Sequence, residues 1–266
     1  MKINMPVQNE NIHKLSLQEM LYITPLFQGW NETMIWSCLQ GYMGKAYVSD
    51  SMNPSAAQVI VGDFCFFAGA ADKKLVYHIP IEFSSKEILM IPQSEEWSTL
   101  IEQIWESDAV KIKRYAIKKE TDVFDKERLQ SYIDALPQEY NLRMIDEEIY
   151  DLIMAEDWSR DLCSAFAGYE EYQRNGLGLA VLHNGIPAAG ASSYTVYDKG
   201  IEIEIDTQPV YRRKGLALAC GAKLILECLN RDIYPSWDAH DMRSVALAEK
   251  LGYHFDKEYT AYIVRI

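Results

Sequence analysis

Hydrophobic and polar positions alternate strictly over residues 201–206 (IEIEID), which predicts a strand with one apolar face and one acidic face. A Gln208-Pro209 turn and a basic loop follow this strand. The next segment, 215–230, has Lys223 and Glu227 as its charged residues, which predicts a helix buried nearly all round against a sheet. The pattern therefore predicts a strand, a loop and a helix in succession.

The N-terminal half alternates short elements of both kinds. Gly62-Asp63 separates two β-rich runs, 58–61 and 64–68, and is a good signal for a two-residue hairpin. Ser94 can cap a helix to residue 105, because the apolar residues that follow it fall at helical spacing. Helices are also predicted at 15–22 and 32–41, and strands at 46–49, 88–91 and 111–117.

A polar, charged run at 118–125 is the best candidate for a domain boundary. It divides the chain into a smaller mixed α/β domain, 1–120, and a second domain, 121–266. In the second, Asn184-Gly185 accepts the positive φ angles of a type I′ turn and joins strands 177–182 and 188–197. Helices are predicted at 125–135, 147–155, 160–172 and 242–251, and strands at 142–145, 233–237 and 257–264. The fold class is therefore α/β, with a mixed sheet of the α+β kind.

Composition limits the function. A chain of 266 residues with 48% apolar content can bury a large core. The formal charge of −13 argues against a nucleic-acid partner, which needs a basic face, and mildly favours a cationic small molecule such as an amine. The N-terminus lacks the apolar core of a signal peptide, and the apolar run 59–71 is too short to span a bilayer. We expect a soluble, cytoplasmic protein without a membrane partner.

Residue types that usually carry metal or nucleophilic chemistry are scattered. The five cysteines form no C-x-x-C pair and the five histidines show no metal-ligand spacing, so neither a disulfide framework nor a metal site is expected. No cysteine is placed to argue for a covalent acyl-enzyme. The sequence has no P-loop motif, and Gly176-Leu177-Gly178 precedes a strand and lacks the third glycine of a dinucleotide-binding loop.

The basic loop before segment 215–230 is the clearest candidate for ligand binding. The first N–H groups of a helix have no intrahelical partner, and Arg212, Arg213 and Lys214 add positive charge beside them. Gly215 would let a phosphate approach the backbone without a Cβ in the way. The loop therefore predicts an anion site; the alternative is an ordinary strand-to-helix turn with basic residues in solvent.

From residue 142 onward the order of elements, with R-x-x-G-x-A before a buried helix and Leu-Gly-Tyr after a later one, resembles the GNAT superfamily of acetyl-CoA-dependent N-acyltransferases. The segments VYRRKGLALACGAKLILECL and WDAHDMRSVALAEKLGY are similar to a bacterial subgroup that includes the zwittermicin-resistance acetyltransferases. That subgroup also has an N-terminal region like this one, with its FQGW and VGDFCFFAG segments. The resemblance implies a GNAT-like catalytic domain at 121–266 that takes acetyl-CoA as co-substrate and needs no metal.

The resemblance also implies roles for individual residues. The R-x-x-G-x-A segment would wrap the pyrophosphate of the co-substrate with backbone amides. The end of strand 201–206 would contact the pantetheine arm and the acetyl carbonyl, and the late family pattern is similar to residues 241–253. The implied cofactor-binding residues are Ile205, Asp206, Thr207, Arg212, Arg213, Lys214, Gly215, Leu216, Ala217, Asp241 and Ser244.

Two positions depart from the family pattern. Asp241 stands where Asn is usual, and it could equally cap helix 242–251, which Gly252 would close as the C′ residue. Ala248 stands at the position of the tyrosine that often protonates the thiolate leaving group. The thiolate could leave unassisted or with a tyrosine as donor. The candidate donors are Tyr253, Tyr259 and Tyr262.

Acetyl transfer to an amine requires a proton acceptor. An alkylamine with a pKa near ~10.4 is protonated at pH 7, and freeing it costs roughly 4–5 kcal/mol at about 1.36 kcal/mol per unit. Glu202 and Glu204 are the candidate catalytic bases, because they share one side of the strand that enters the loop. The alternative is that these acids face solvent. Backbone donors for the acetyl oxygen are expected near Asp206-Thr207.

The predicted function is an acetyl-CoA-dependent N-acetyltransferase that moves an acetyl group to the primary amine of a small molecule, a metabolite or an antibiotic, by direct attack. The alternative is a non-catalytic GNAT-like protein that binds an acyl-CoA as a sensor or interaction protein. The N-terminal domain is a candidate for shaping the acceptor site. The acceptor and the oligomeric state, a homodimer included, stay open.

Overall fold

The computed structural model describes residues 12–266 of the chain. In chain order the strands are β1 His13–Lys14, β2 Lys45–Val48, β3 Ala56–Val61, β4 Phe64–Gly69, β5 Glu87–Pro92, β6 Ala109–Ile117, β7 Tyr140–Met144, β8 Gly178–His183, β9 Ile186–Tyr197, β10 Gly200–Thr207, β11 Tyr234–Ser236, β12 Asp238–Ala239 and β13 Phe255–Arg265. The helices are α1 Met20–Ile23, α2 Thr33–Leu39, α3 Lys73–Tyr77, α4 Glu95–Trp105, α5 Lys126–Asp134, α6 Glu147–Met154, α7 Tyr169–Asn175, α8 Leu216–Asn230 and α9 Met242–Leu251. Helices and mixed sheets confirm the predicted α/β class.

The chain divides into two compact units. Of the described residues, the first contains 12–113 together with Tyr259–Ile266, and the second is Arg114–Glu258. The last eight residues therefore belong with the N-terminal half of the chain.

The first unit is built on a mixed sheet. Its strands run in the order β1-β2-β3-β4-β5, and residues 262–265 of β13 pair antiparallel beside β5. The predicted hairpin is confirmed: Val61 lies opposite Phe64, and Gly62 takes a positive φ between them. In the core of this unit Phe67 stacks on Trp97 of α4 with ring centroids 4.9 Å apart.

The helix predicted at 15–22 is wrong over most of its length. Residues 15 and 16 are irregular and 17–19 form a turn, at which the backbone N–H and the hydroxyl of Ser16 both donate to the Glu19 carboxylate, at 2.7 and 2.6 Å. Helix α1 starts after this turn and passes into a short 3-10 segment that contains Pro25. The second predicted helix is confirmed as α2, with Glu32 as its N-cap.

The second unit contains a five-stranded sheet in the order β11-β10-β9-β8-β7. The β8–β9 hairpin has the predicted two-residue turn, with Asn184 at φ 53° and Gly185 at φ 82°. Strands β7 to β10 are antiparallel to their neighbours, whereas β10 and β11 are parallel. The parallel pair lies at one edge of the sheet.

The two faces of this sheet have different covers. Helix α8 covers one face, and Ile205 of β10 points to it, since its Cδ1 atom lies 3.1 Å from an ideal Cβ at Gly221 of α8. A 3-10 turn, Arg160–Leu162, covers the other face, where Leu162 fills the space above Gly190 of β9. Asp206 is the register partner of Gly190, so the acidic face of β10 is directed to the 3-10 turn.

The single helix predicted at 160–172 is wrong. The segment consists of the 3-10 turn, irregular backbone and then α7, which starts after Gly168. Leu162, Cys163 and Phe166 are buried in this segment, which is not an α-helix. The caps predicted further along the chain are confirmed. Asp241 accepts hydrogen bonds from the first turn of α9, and Gly252 ends that helix at φ 111°.

Candidate active site

Strands β10 and β11 diverge after a short paired stretch. Their parallel register runs from Gly200↔Tyr234 to Glu202↔Ser236. The chain then leaves this sheet, and β12 pairs with β6 instead. Among the described residues, positions 203–207 of β10 therefore pair with no strand on the side away from β9, and the region between them and β12 is called here the wedge.

A buried ion pair holds β12 on β6. The Nε and Nη2 atoms of Arg114 lie 2.7 and 2.6 Å from Oδ1 of Asp238, and the two side chains are 10% and 7% exposed. A buried carboxylate and guanidinium stabilise one another strongly, and losing either leaves an uncompensated charge. The pair therefore helps to hold β12 on β6.

A backbone donor of β10 is directed into the wedge. The Gln208 N–H donates to the Ala188 carbonyl of β9 at 3.0 Å. Alternate residues of an antiparallel strand direct their N–H groups to the same side, so those of Glu204 and Asp206 also point to β9. The N–H of Ile205 therefore points away from β9, toward the wedge.

The loop between β10 and α8 concentrates backbone donors. Arg213 and Gly215 take left-handed conformations, with φ of 62° and 80°. Within residues 12–266, the N–H groups of positions 213–218 donate to no acceptor. Positions 212–215 are exposed, and a Cβ on Gly215 would meet no atom within 4 Å. Such donors at the positive end of a helix form an anion site.

The cations of this loop are held in different directions. Arg212 Nε donates to the Thr207 carbonyl at 3.4 Å, next to the end of β10. Lys214 Nζ donates to the Tyr140 hydroxyl at 3.3 Å and lies 5.2 Å from the centre of the Tyr211 ring. Because Tyr140 belongs to β7, the Lys214 ammonium is turned to the side of the sheet away from β11.

The three acidic residues of β10 differ in exposure. Glu202 lies in the stretch paired with β11 and is 4% exposed, whereas Glu204 and Asp206 are half-buried. Glu204 lies opposite Ser192, whose Oγ is 2.9 Å from the Tyr172 hydroxyl oxygen. The side chains of Glu202, Glu204 and Asp206 lie on one face of the sheet, and Asp206 is the nearest of the three to the C-terminal end of β10, which is called here its open end.

Asp206 has an unusual protonation equilibrium. Burial, together with the nearby Asp161 carboxylate of the 3-10 turn, raises the pKa of Asp206 from its ordinary value of 3.8 to about 6. A backbone hydrogen bond at Thr207 and the Arg212 guanidinium oppose this rise. The Asp206 carboxyl group therefore changes charge close to neutral pH.

Helix α9 places the other predicted cofactor contacts. Asp241 Oδ1 accepts from the N–H groups of Arg243 and Ser244, both at 2.9 Å, so this side chain is a helix cap. Ser244 Oγ accepts from the indole Nε1–H of Trp237 at 3.1 Å. Ala248, one turn further along, is fully buried and offers no polar group.

The three tyrosines considered as proton donors lie in different places. Tyr253 is 1% exposed and donates to the Pro235 carbonyl of β11 at 2.6 Å, and burial raises its pKa well above the ordinary value. Tyr259 and Tyr262 belong to the first unit, where the Tyr262 hydroxyl donates to Glu102 at 2.6 Å. Tyr253 is therefore the one of the three that lies in the second unit, and it contacts β11 there.

Sequence reasoning missed three features of this site. Asp161 was hidden in a segment predicted as helix, and its proximity to Asp206 depends on the sheet. Arg114 and Asp238 lie far apart in the chain, so their pairing left no local signal. Trp237 directly follows β11 and could have been noticed as a large aromatic residue at the end of a strand.

The described part of the chain contains neither a group of metal-ligand side chains nor a helix that could span a membrane. Within residues 12–266 no three His, Cys, Asp or Glu side chains are grouped so that they could hold a metal ion. Over the same range, every helix is too short or too polar to cross a membrane.

The sequence profile of the GNAT acetyltransferases matches residues 24–262. The chain belongs to this family. It is 31% identical over 254 residues to "Uncharacterized N-acetyltransferase YdfB" of Bacillus subtilis (strain 168), a match that covers 86% of this chain and 89% of that protein. The chain described here also matches the crystal structure of a GCN5-related N-acetyltransferase-like protein from Streptococcus suis 89/1591. The two sequences are 44% identical, the TM-score is 0.88, and the match covers 93% of this chain and 99% of the other.

More distant GNAT structures share the fold. A GCN5-related N-acetyltransferase from Sphaerobacter thermophilus is 11% identical, with a TM-score of 0.55 over 97% of this chain and 96% of the other. Membership of the family confirms the predicted N-acetyltransferase and speaks against the non-catalytic alternative. The likeness to the zwittermicin-resistance subgroup stays a prediction.

Proposed function

We propose that this GNAT enzyme transfers the acetyl group of acetyl-CoA to the primary amine of a small molecule, by direct attack of the amine on the thioester. The observation that carries the proposal is the donor-rich loop at 213–218, which follows the end of β10 after one 3-10 turn, Pro209–Tyr211. An anion site and an opening in the sheet are thus adjacent along the chain.

The residues present fit the phosphates of the co-substrate. The N–H groups of positions 213–218 have no acceptors within the described chain. Because Gly215 has no Cβ and the space beside it is open, a phosphate can approach these N–H groups. We assign the pyrophosphate to the amides of 213–217, with Arg212 supplying charge. Asp241 and Ser244 remain proposed contacts on the α9 side. Acetyl-CoA would supply an acetyl group already activated as a thioester.

The Ile205 N–H is the proposed donor to the acetyl oxygen. A backbone donor directed at an oxygen that gains negative charge lowers the barrier most when it is already oriented before the reaction. The strand pairing of β10 with β9 fixes this N–H in direction, because the neighbouring donors of Glu204 and Asp206 are used in the sheet.

We propose Asp206 as the proton acceptor, in preference to Glu202 and Glu204. Glu202 is buried in the stretch paired with β11, and Glu204 lies further from the open end than Asp206. A carboxylate with a pKa of about 6 is a better acceptor for an ammonium proton than an ordinary one. Raising the pKa of the carboxyl group by about two units lowers the free-energy cost of moving a proton from an alkylammonium to the carboxylate by about 3 kcal/mol.

The cysteines support direct attack and not an acyl-cysteine intermediate. All five are free thiols and all are buried. Burial raises the pKa of Cys163 and of Cys220 to about 12, so the nucleophilic thiolate is scarce at pH 7. The amine nitrogen itself is then the nucleophile.

Charge favours a cationic acceptor. The carboxyl groups of Asp161 and Asp206 lie close enough to interact on one face of the sheet, and the chain carries a formal charge of −13. Both would attract an ammonium group before it loses its proton. The proposal therefore covers primary amines that are protonated in solution, whether a metabolite or an antibiotic.

The proposal is tested by incubating the enzyme with acetyl-CoA and a panel of small primary amines. Release of free CoA thiol and a product heavier by one acetyl group are expected with at least one amine. Alcohols on the same carbon skeletons serve as matched controls and should give neither. No product from any amine, or equal release with the alcohols, would refute the proposed acceptor chemistry.

A further inference from the structure

The first unit contains a pocket that the proposed function does not use. Its volume is about 380 Å³, which lies within the range of small-molecule sites, roughly 300–1,000 Å³. The described residues that line it all belong to one segment, 24–39, so the pocket belongs to the first unit. Three of these residues are aromatic and three others carry short polar side chains: Phe27, Trp30 and Trp36, and Thr24, Gln28 and Asn31.

The FQGW motif, residues 27–30, forms one wall of this pocket. Trp30 stacks on Phe27, with the ring centroids 6.2 Å apart and an angle of 25° between the ring planes. The Trp30 ring also meets the Phe66 ring at 5.8 Å and close to a right angle. Phe66 is fully buried in β4, within the VGDFCFFAG segment. The aromatic wall is therefore anchored on a strand of the core.

Hydrogen bonds hold the backbone on both sides of the pocket. Gln93 Nε2 donates to the Leu26 carbonyl at 2.8 Å, and Gln93 Oε1 accepts from the Gly69 N–H at 2.9 Å. Helix α2, which supplies Trp36 to the lining, begins at a cap in which the Glu32 carboxylate accepts from the backbone of its first turn. A pocket whose walls are fixed before a ligand arrives loses little conformational entropy when the ligand binds.

The charges of the segment that forms this pocket have one sign. Residues 15–44 include Glu19 and Glu32 and contain no lysine, arginine or histidine. Glu32 is 8% exposed and stands directly after Asn31 and one helical turn before Trp36, both of which line the pocket. Salt screens a buried charge much less than an exposed one. The segment therefore favours a cationic ligand over an anionic one.

We propose that this pocket binds a small organic cation, whose ammonium group lies against the rings of Trp30 and Trp36. The face of an aromatic ring attracts a cation, and tryptophan attracts it most strongly. The Glu32 carboxylate adds to this attraction, and the exposed side chains of Thr24 and Gln28 offer hydrogen bonds to polar groups of the ligand. The proposed acetyl transfer involves residues of the second unit, so this site is a further one and does not depend on it.

The test compares choline with 3,3-dimethyl-1-butanol, a neutral molecule of nearly the same shape, in titrations of the full chain followed by the NMR signals of the two ligands. Choline has no N–H group, so it cannot serve as an amine acceptor and its binding is measured apart from turnover. Choline should bind at millimolar concentration and about 10-fold more tightly than the neutral alcohol. Equal affinity for the two molecules, or no binding of choline, would overturn the proposal.

Variants locate the cation in the pocket. Trp36→Leu removes one aromatic ring and should weaken choline binding about 3- to 30-fold, whereas Trp36→Phe keeps a ring and should lose less. Trp105→Leu is the matched control, because Trp105 is half-buried in the same unit and donates to the Val76 carbonyl outside the pocket. It should bind choline like wild type. Unchanged binding in Trp36→Leu, or an equal loss in Trp105→Leu, contradicts the assignment. If thermal unfolding shows that Trp36→Leu is not folded, the same comparison is made with Trp36→Phe.

Discussion

Replacing Asp206 by asparagine should make the protein more stable at pH 8 while it removes most of the activity. The pKa of Asp206 is raised in the folded protein, from 3.8 to about 6, because the carboxyl group is half-buried beside Asp161. The ionised carboxylate of Asp206 therefore lowers the stability of the folded protein relative to the neutral carboxyl group. Asparagine has almost the same shape and cannot ionise, so it removes this penalty.

The sign and size follow from the two pKa values. Because the folded value is the higher one, the contribution of Asp206 to stability is fully present below pH 3.8 and is lost as the pH rises through about 6. At about 1.36 kcal/mol per unit, the full loss is at most about 3 kcal/mol, and partial exposure reduces it to about 1–3 kcal/mol. About half of this loss of stability has already occurred at pH 5.

The assay compares thermal unfolding of wild type and Asp206→Asn at pH 5 and pH 8. For a protein of this size a change of 1 kcal/mol shifts Tm by about 2–4 °C. We therefore expect the variant to gain about 2–12 °C at pH 8 and about half as much at pH 5. Any fixed effect of the asparagine cancels in the difference between the two pH values.

The same variant tests the catalytic assignment. In wild type, kcat/KM should fall below a pKa near 6 as Asp206 becomes protonated, and Asp206→Asn should lose about 10²- to 10⁴-fold at pH 8. Asp161→Asn is the matched control, because it removes the neighbouring negative charge and should move the acid limb to lower pH. An active Asp206→Asn enzyme, or a Tm gain that is equal at both pH values, would refute the reasoning.

Two further predictions concern the stability of the fold. Arg114→Met should destabilise the protein by about 3–5 kcal/mol in urea unfolding, since Asp238 keeps a buried charge without its cation, whereas Arg243→Met, in an exposed pair, should cost about 1 kcal/mol or less. Equal losses would mean that the buried pair does not hold β12. Gly69→Ala should lower the Tm far more than Gly29→Ala: both positions have a φ near 80°, but a Cβ on Gly69 would lie 2.2 Å from the Ser55 carbonyl oxygen while one on Gly29 meets nothing within 4 Å.

Short-range features of the fold could be predicted because their causes are local. The Asn184-Gly185 turn follows from residues that tolerate positive φ, and the Asp241 cap follows from a side chain that reaches the next turn. Strand β10 followed from its alternation, and helix α8 followed from an apolar run with Lys223 and Glu227 as its charged residues. The helix predicted at 160–172 failed because Leu162 is held by Gly190 of β9, a contact that no local pattern encodes.

The candidate site divides in the same way. The donor loop before α8 could be located from the order of charged residues and Gly215. The wedge depends on the distant pair Arg114 and Asp238, and so it could not be read from either segment. The preference for Asp206 over its neighbours required the position of Asp161, which is set by the packing of the 3-10 turn on the acidic face of β10.

The central claim is that the loop after β10 holds the phosphates of acetyl-CoA, and isothermal titration with acetyl-CoA tests it most directly. The wild type should bind. Gly215→Glu should lose binding, because the carboxylate would stand among the donors of 213–218, whereas Gly29→Glu, at nearly the same φ and in equally open space, should bind like wild type. Undiminished affinity in Gly215→Glu, or no binding by the wild type at millimolar concentration, would contradict the claim.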